Sequence, residues 1–211
     1  MTPQEKRKEL LSATLVKNLE KRHFEAYYCP TAAEAVEKAL SMMPAGSSVT
    51  WGGSMTIRDM GLTKAVKEGN YNVIDRDTAA NPAEMREMMR QGLLTDFYLT
   101  STNALSEDGV LVNIDGTGNR VAAICYGPGS VLVIAGMNKV MDTLEEAVKR
   151  ARTVAAPANQ QRFCRNNPCT ITGMCADCKS EQSICNQIVI TRHCRPVGRI
   201  KFILVGEDLG L

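Results

Sequence analysis

SVLVIAG, residues 130–136, restricts the fold more than any other stretch of the chain. Five consecutive apolar side chains, Val131 to Ala135, leave no polar face, so a strand made from them must be covered on both sides. Covered strands of this kind are the inner strands of parallel sheets with helices above and below. The surrounding sequence supplies such a setting. Residues 3–23 read as a helix with Leu10, Leu11, Leu15 and Leu19 on one side, and 24–29 as a short strand. TAAEAVEKALSMM (31–43) is a helix opened by a Thr31/Glu34 capping box. VTW (49–51), YNVID (71–75) and DFYLTST (96–102) are strands, and a helix from Ser54 to Glu68 follows the first of them. Asn81 as N-cap and Pro82 at the first helical position start a helix whose Met85, Met88 and Met89 read as core filling.

GTGN (116–119) joins VLVNID to RVAAICY and predicts a β-hairpin. MDTLEEAVKRAR (141–152) is an amphipathic helix, and QIVITRHC with RIKFILVGE closes the chain as a pair of strands. The expectation is an α/β fold in three layers. A mostly parallel sheet carries helices on both faces and an antiparallel hairpin extension. Residues 1–211 form one domain, with 157–195 a cysteine-rich irregular loop segment within it.

The first twenty residues are charged and lack an apolar signal core, and no apolar run reaches the ~20 residues that span a bilayer. The reading is cytoplasmic, with no membrane span, where thiols stay reduced. Residues 151–201 carry eight Lys/Arg against Asp177 and Glu181, while the rest of the chain has 17 basic against 21 acidic residues. That basic segment suits an anionic ligand or a thiolate–metal centre. No aromatic residues interleave its charges, so nucleic acid is not expected as a partner.

In parallel sheets ligands bind beyond the carboxyl ends of the strands. Gly52, Gly53, Ser54 and Thr56 occupy such a strand-to-helix turn, where backbone N–H groups and hydroxyls suit a small anionic metabolite. The bland alternative is a tight turn with Ser54 as a helix cap. Asn103 follows one strand, and Asn138 and Lys139 follow another. Asn138 either meets a ligand or caps the following helix, and Lys139 is a candidate catalytic cation. His23 reads as exposed, and His193 as either a polar strand position or a metal or acid–base group.

Six cysteines fall between 164 and 194, and Cys29 and Cys125 lie apart as small buried residues. Cys175-Ala-Asp-Cys178 is a C-x2-C pair flanked by Cys169 and Cys185, with Gly173 giving the chain room to wrap. Four thiolates suit zinc or an iron–sulfur cluster, although the spacing matches neither a zinc ribbon nor a ferredoxin run. Free thiols, or a dithiol redox switch, are the alternatives.

VTWGGSMTIRDMGL (49–62), the block 104–152 and CTITGMCADCKSEQSIC (169–185) together resemble the LUD-domain (lactate-utilisation) family. The resemblance covers most of the chain. It implies a fold like that of CoA transferases and ribose-5-phosphate isomerases. It also implies a place in lactate or related 2-hydroxy-acid utilisation, beside partner subunits that carry iron–sulfur clusters. On that view the chain is an accessory or electron-transfer component. The other readings are a stand-alone transferase or isomerase-like enzyme and a thiol- or metal-based redox regulator. Ser106-Glu107-Asp108-Gly109 resembles the SENG-like stretch of class I CoA transferases, which makes Glu107 a candidate carboxylate nucleophile. A polar turn explains the same four residues.

Overall fold

In a computed structural model describing residues 2–211, helix α1 (Pro3–Lys21) leads into strand β1 (Glu25–Cys29) and helix α2 (Ala32–Ser41). Next come β2 (Ser48–Trp51), α3 (Met55–Asp59), α4 (Leu62–Glu68), β3 (Asn72–Ile74), α5 (Pro82–Gln91) and β4 (Phe97–Thr100). They are followed by β5 (Ala104–Ser106), β6 (Leu111–Asp115), α6 (Asn119–Cys125), β7 (Ser130–Gly136) and β8 (Val140–Met141). Then come α7 (Leu144–Arg150), a π turn (Ala151–Ala155), α8 (Ala156–Gln160), α9 (Pro168–Thr172), β9 (Gln187–Thr191) and β10 (Ile200–Val205).

The main sheet has six strands in the order β1-β10-β7-β4-β2-β3, and every neighbouring pair is parallel. Its inner strands show the alternation that parallel sheets need. Val131, Val133 and Ala135 of β7 enter one core with Leu15 and Leu19 of α1, while Leu132 and Ile134 enter the other with Ala35, Ile57 and Val66. Phe202 and Leu204 of β10 join the first core, and Ile203 and Val205 the second. Helices therefore cover both faces, as the apolar run of β7 requires.

A second sheet, β8-β5-β6-β9, carries the antiparallel extension. Its hairpin is not the expected one. β5 and β6 pair across the 107–110 turn, whereas GTGN opens helix α6. The reason is Asp115, whose carboxylate accepts from the backbone N–H groups of Thr117, Gly118, Arg120 and Val121 at 3.0–3.2 Å. Satisfying the first free N–H groups of a helix favours helix over hairpin for RVAAIC.

Other expectations shift locally. Gly61, at φ 83°, divides the predicted Ser54–Glu68 helix into α3 and α4. The predicted helix at 141–152 begins at Leu144, capped by Thr143, and continues through the π turn to Gln160. Pro157 lies just past that turn; it lacks an N–H, and the π turn absorbs the mismatch. The two C-terminal strands do not pair with each other: β9 joins the second sheet and β10 enters the main sheet between β1 and β7. Met85, Met88 and Met89 are only half-buried, and Cys125 is exposed where burial was expected.

Leu132 is fully enclosed at the centre of β7, while Leu94 is 88% exposed. Leu132→Ala should cost about 2–5 kcal/mol in urea unfolding, and Leu94→Ala should stay within about 0.5 kcal/mol of wild type.

Candidate functional site

The carboxyl ends of β2, β4 and β7 meet where the fold rule places a site. Gly52 and Gly53 leave β2 without side chains for a steric reason. A Cβ on Gly52 would stand 2.8 Å from Tyr98 Oη, and one on Gly53 would stand 2.9 Å from Arg76 Nη2. The glycines thus let a phenol and a guanidinium close over the turn. Ser54 occupies the N-cap position of α3 but makes no capping bond, and its buried Oγ has no partner. Tyr98 Oη is likewise buried and unpartnered, and burial pushes its pKa up to about 12. With only five residues, α3 contributes little helix dipole, so the character of the site comes from its side chains.

The central side chain is Lys139, which follows β7 on a 3-10 turn and is only 3% exposed. Its Nζ donates to Thr56 Oγ1 at 2.9 Å and Ser101 Oγ at 3.1 Å, and no carboxylate pairs with it among the described residues. Burial first, and then the charges of Arg150 and Arg120, pull its pKa down to about 7. Arg150 Nη1 donates to Asn103 O at 2.6 Å and its Nε to Asn138 O at 3.1 Å. Arg120 donates to Ser101 O, Asn113 Oδ1, Asn103 Oδ1 and Ile114 O, and its Nε lies 3.8 Å from Asp115. At the rim, Arg162 Nη1 donates to Gly53 O at 2.8 Å, and Arg58 pairs with Asp77. The result is a basin dominated by positive charge, with its central ammonium uncompensated.

The predicted residues divide clearly. Gly52, Gly53, Ser54, Thr56 and Lys139 come together. Asn103 and Asn138 border the same region but serve as braces. Asn103 Oδ1 accepts from Ile114 N and from Arg120, and Asn138 Oδ1 accepts from Leu209 N at 3.1 Å. Thr143, not Asn138, caps α7. Glu107 lies on the β5–β6 turn against α1, where Asn18 donates to its carbonyl and its carboxylate stands 3.9 Å from Arg7. Tyr98, Ser101, Arg120 and Arg150 were not anticipated. Tyr98 and Ser101 had a usable signal, a phenol and a hydroxyl at the carboxyl end of a buried strand. His23 and His193 are exposed, with ring centroids 6.0 Å apart.

The four predicted metal-site cysteines lie elsewhere, but together. Cys169, Cys175, Cys178 and Cys185 line one cavity of about 70 Å³, with Ile114 and Pro157 on its wall. No three His, Cys, Asp or Glu side chains among the described residues stand close enough to hold one ion. Burial, and after it the charges of Cys175 and Cys169, push the Cys185 thiol up. Cys194 is separate and buried, its thiol facing Pro196 O while Sγ accepts from Ile200 N.

The model of the LUD domain family matches residues 13–205. No curated protein matches the sequence. Among solved structures, the chain is similar to a DUF162 family protein from Deinococcus radiodurans, at 14% identity and a TM-score of 0.55, over 94% of this chain and 98% of that one. It is also similar to eIF2B delta from Chaetomium thermophilum, at 18% identity and a TM-score of 0.35, over 57% of this chain and 54% of that one. The first likeness supports the fold assigned above.

Lys139 gives stability a pH signature. Its folded pKa of about 7 lies below the ordinary lysine value of 10.5, so between those values the unfolded chain binds more protons. Stability therefore rises with pH in that window, by at most ~1.4 kcal/mol per unit. Lys139→Met should be more stable than wild type at pH 6, and urea unfolding should show that advantage shrinking toward pH 10.

Proposed function

The chain belongs to the LUD domain family, and from that premise we propose that it is a cytoplasmic component of lactate or related 2-hydroxy-acid utilisation. It binds the carboxylate of a small 2-hydroxy or 2-oxo acid in the basin around Lys139, and it acts beside redox partner subunits. The observation that carries this reading is Lys139 itself, an enclosed amine with two hydroxyl partners and no counter-charge among the described residues. Keeping such an ammonium charged in the interior costs several kcal/mol, and an arriving carboxylate offsets that cost. Binding then draws a proton onto Lys139.

The unpartnered oxygens of Ser54 and Tyr98 supply hydroxyl donors for a second oxygen on the ligand. A 2-hydroxy or 2-oxo acid has that shape, a carboxylate beside one further oxygen. Arg120 and Arg150 add field without spending donors on the ligand, because their bonds go to backbone carbonyls and to the side chains of Asn103 and Asn113. The orientation of Glu107 toward Arg7 favours this binding reading over a thioester transferase built on that glutamate.

The test is titration calorimetry with L-lactate, pyruvate and inorganic phosphate. Lactate or pyruvate should bind, with affinity falling up to about tenfold per pH unit as pH rises above ~7, because the free protein must then take up a proton. Lys139→Met should weaken binding about tenfold or more and flatten that pH profile. Gly52→Ala, which crowds Tyr98 Oη, should weaken binding with little change in the profile. Unchanged affinity in Lys139→Met, or a preference for phosphate over both acids, would sink the reading.

A further inference from the structure

The cavity lined by four cysteines gathers reactive side chains that the Lys139 basin leaves unused. We propose that Cys169, Cys175, Cys178 and Cys185 hold an iron–sulfur cluster through four thiolates, at a centre distinct from the anion site. The geometry points this way in several independent respects.

The four thiols come from three pieces of backbone: helix α9, the C-x2-C turn and the segment before β9. They nevertheless face one cavity. The bonds that fix those pieces leave the thiols unused. Gln161 Nε2 donates to Cys169 O at 2.8 Å, and Arg165 and Asn167 both donate to Gln182 O. Asn186 ties the end of the loop to the β6–α6 turn, its backbone N–H on Asp115 O and its side chain on Gly116 O. Gly173 at φ 75° and Asp177 at φ 50° take the left-handed conformation that tight turns need, on either side of Cys175.

The arrangement favours a cluster over a single ion. Zinc draws four sulfurs to ~2.3 Å from one point. Here the thiols instead surround about 70 Å³ of space, room for several waters at roughly 10–15 Å³ each. A polynuclear core fills such a volume while its ligands stay apart, and ligation by four cysteines serves clusters of either common size. The remaining cysteines are built differently. Cys29 and Cys194 are buried in the main cores, and Cys125 and Cys164 are exposed and do not line the cavity. Arg152, held by Asp177 at 2.5 Å, lines the cavity, and Arg165 and Lys179 belong to the same segment. Asp177 lines the cavity too and pairs with Arg152, so the positive charge that offsets a four-thiolate centre comes from the segment's excess of Lys and Arg.

Assembly is coordination chemistry alone. Each of the four thiols gives up its proton and forms one S–Fe bond, while ferric and ferrous iron with sulfide supply the core. No electron enters or leaves the chain.

The experiment is anaerobic incubation of the full chain with ferric and ferrous iron and sulfide, followed by desalting, metal and sulfide analysis and a visible spectrum. Iron and acid-labile sulfide should remain in equal amounts, with broad sulfur-to-iron charge-transfer absorption. Cys175→Ser and Cys178→Ser should each lower retained iron about tenfold or more. Cys125→Ser and Cys164→Ser should retain iron as wild type does. Far-UV circular dichroism identifies any variant that fails to fold, and Cys185→Ser then takes its place. The assignment is overturned by a colourless chain without iron, by equal losses in Cys164→Ser and Cys178→Ser, or by one zinc per chain that blocks iron uptake.

Discussion

Arg120 is the residue on which the two sheets depend. Its guanidinium donates to the end of β4 at Ser101, to the start of the second sheet at Asn103, and to β6 at Asn113 and Ile114. Its own backbone N–H and those of three neighbours converge on Asp115, so the carboxylate that starts α6 also partners the side chain that α6 presents. Planar, multiply donating geometry suits guanidinium here, where an ammonium would leave acceptors unmet. A largely enclosed cation with nearly all its donors in use is costly to remove, because Ser101 O, Asn103 Oδ1, Asn113 Oδ1 and Ile114 O would each lose a donor.

The character of Lys139 follows from that arrangement. Arg120 and Arg150 spend their hydrogen bonds on backbone carbonyls and, for Arg120, on the side-chain oxygens of Asn103 and Asn113, yet their positive charge still reaches the basin. Neither can lose its proton near neutrality, so the lysine between them yields first. Burial first, and these rigid cations after it, create one adjustable cation in a region floored by glycine and ringed by hydroxyls. A small anion entering there meets a site whose charge is completed by its own arrival.

Strand β6 separates this basin from the cysteine cavity. Ile114 is the dividing residue: its carbonyl accepts from Arg120, and the residue itself lines the cavity on the other side. The helix through the π turn plays the same double role. Arg150 reaches Asn103 and Asn138 beside Lys139, and Arg152, two residues later, faces the cysteines. Residues two apart on a helix point to nearly opposite sides, about 200° apart at 3.6 residues per turn, and so one helix serves both regions.

How much could be read in the sequence depended on how local the physics was. The five apolar residues of β7 required cover on both faces, and β7 received it. The GGS turn was legible because glycines between a strand and a helix report a close approach, though not that Tyr98 and Arg76 were the groups approaching. The cysteines were legible as a group because the C-x2-C pair and its flanks are near in sequence. RVAAIC was misread because its apolar pattern fits a strand as well as a helix, and the deciding carboxylate of Asp115 lies outside it. Arg120 was lost with that misreading: on a hairpin strand it would have been one surface charge among many. Glu107 shows the complementary limit, since a four-residue likeness fixes a turn but not the direction in which the turn faces. Here α1 decides that direction, through Asn18 and Arg7, which lie 89 and 100 residues away in sequence. Site residues of this kind are set by long-range packing, and only the folded chain reveals which charges share a space.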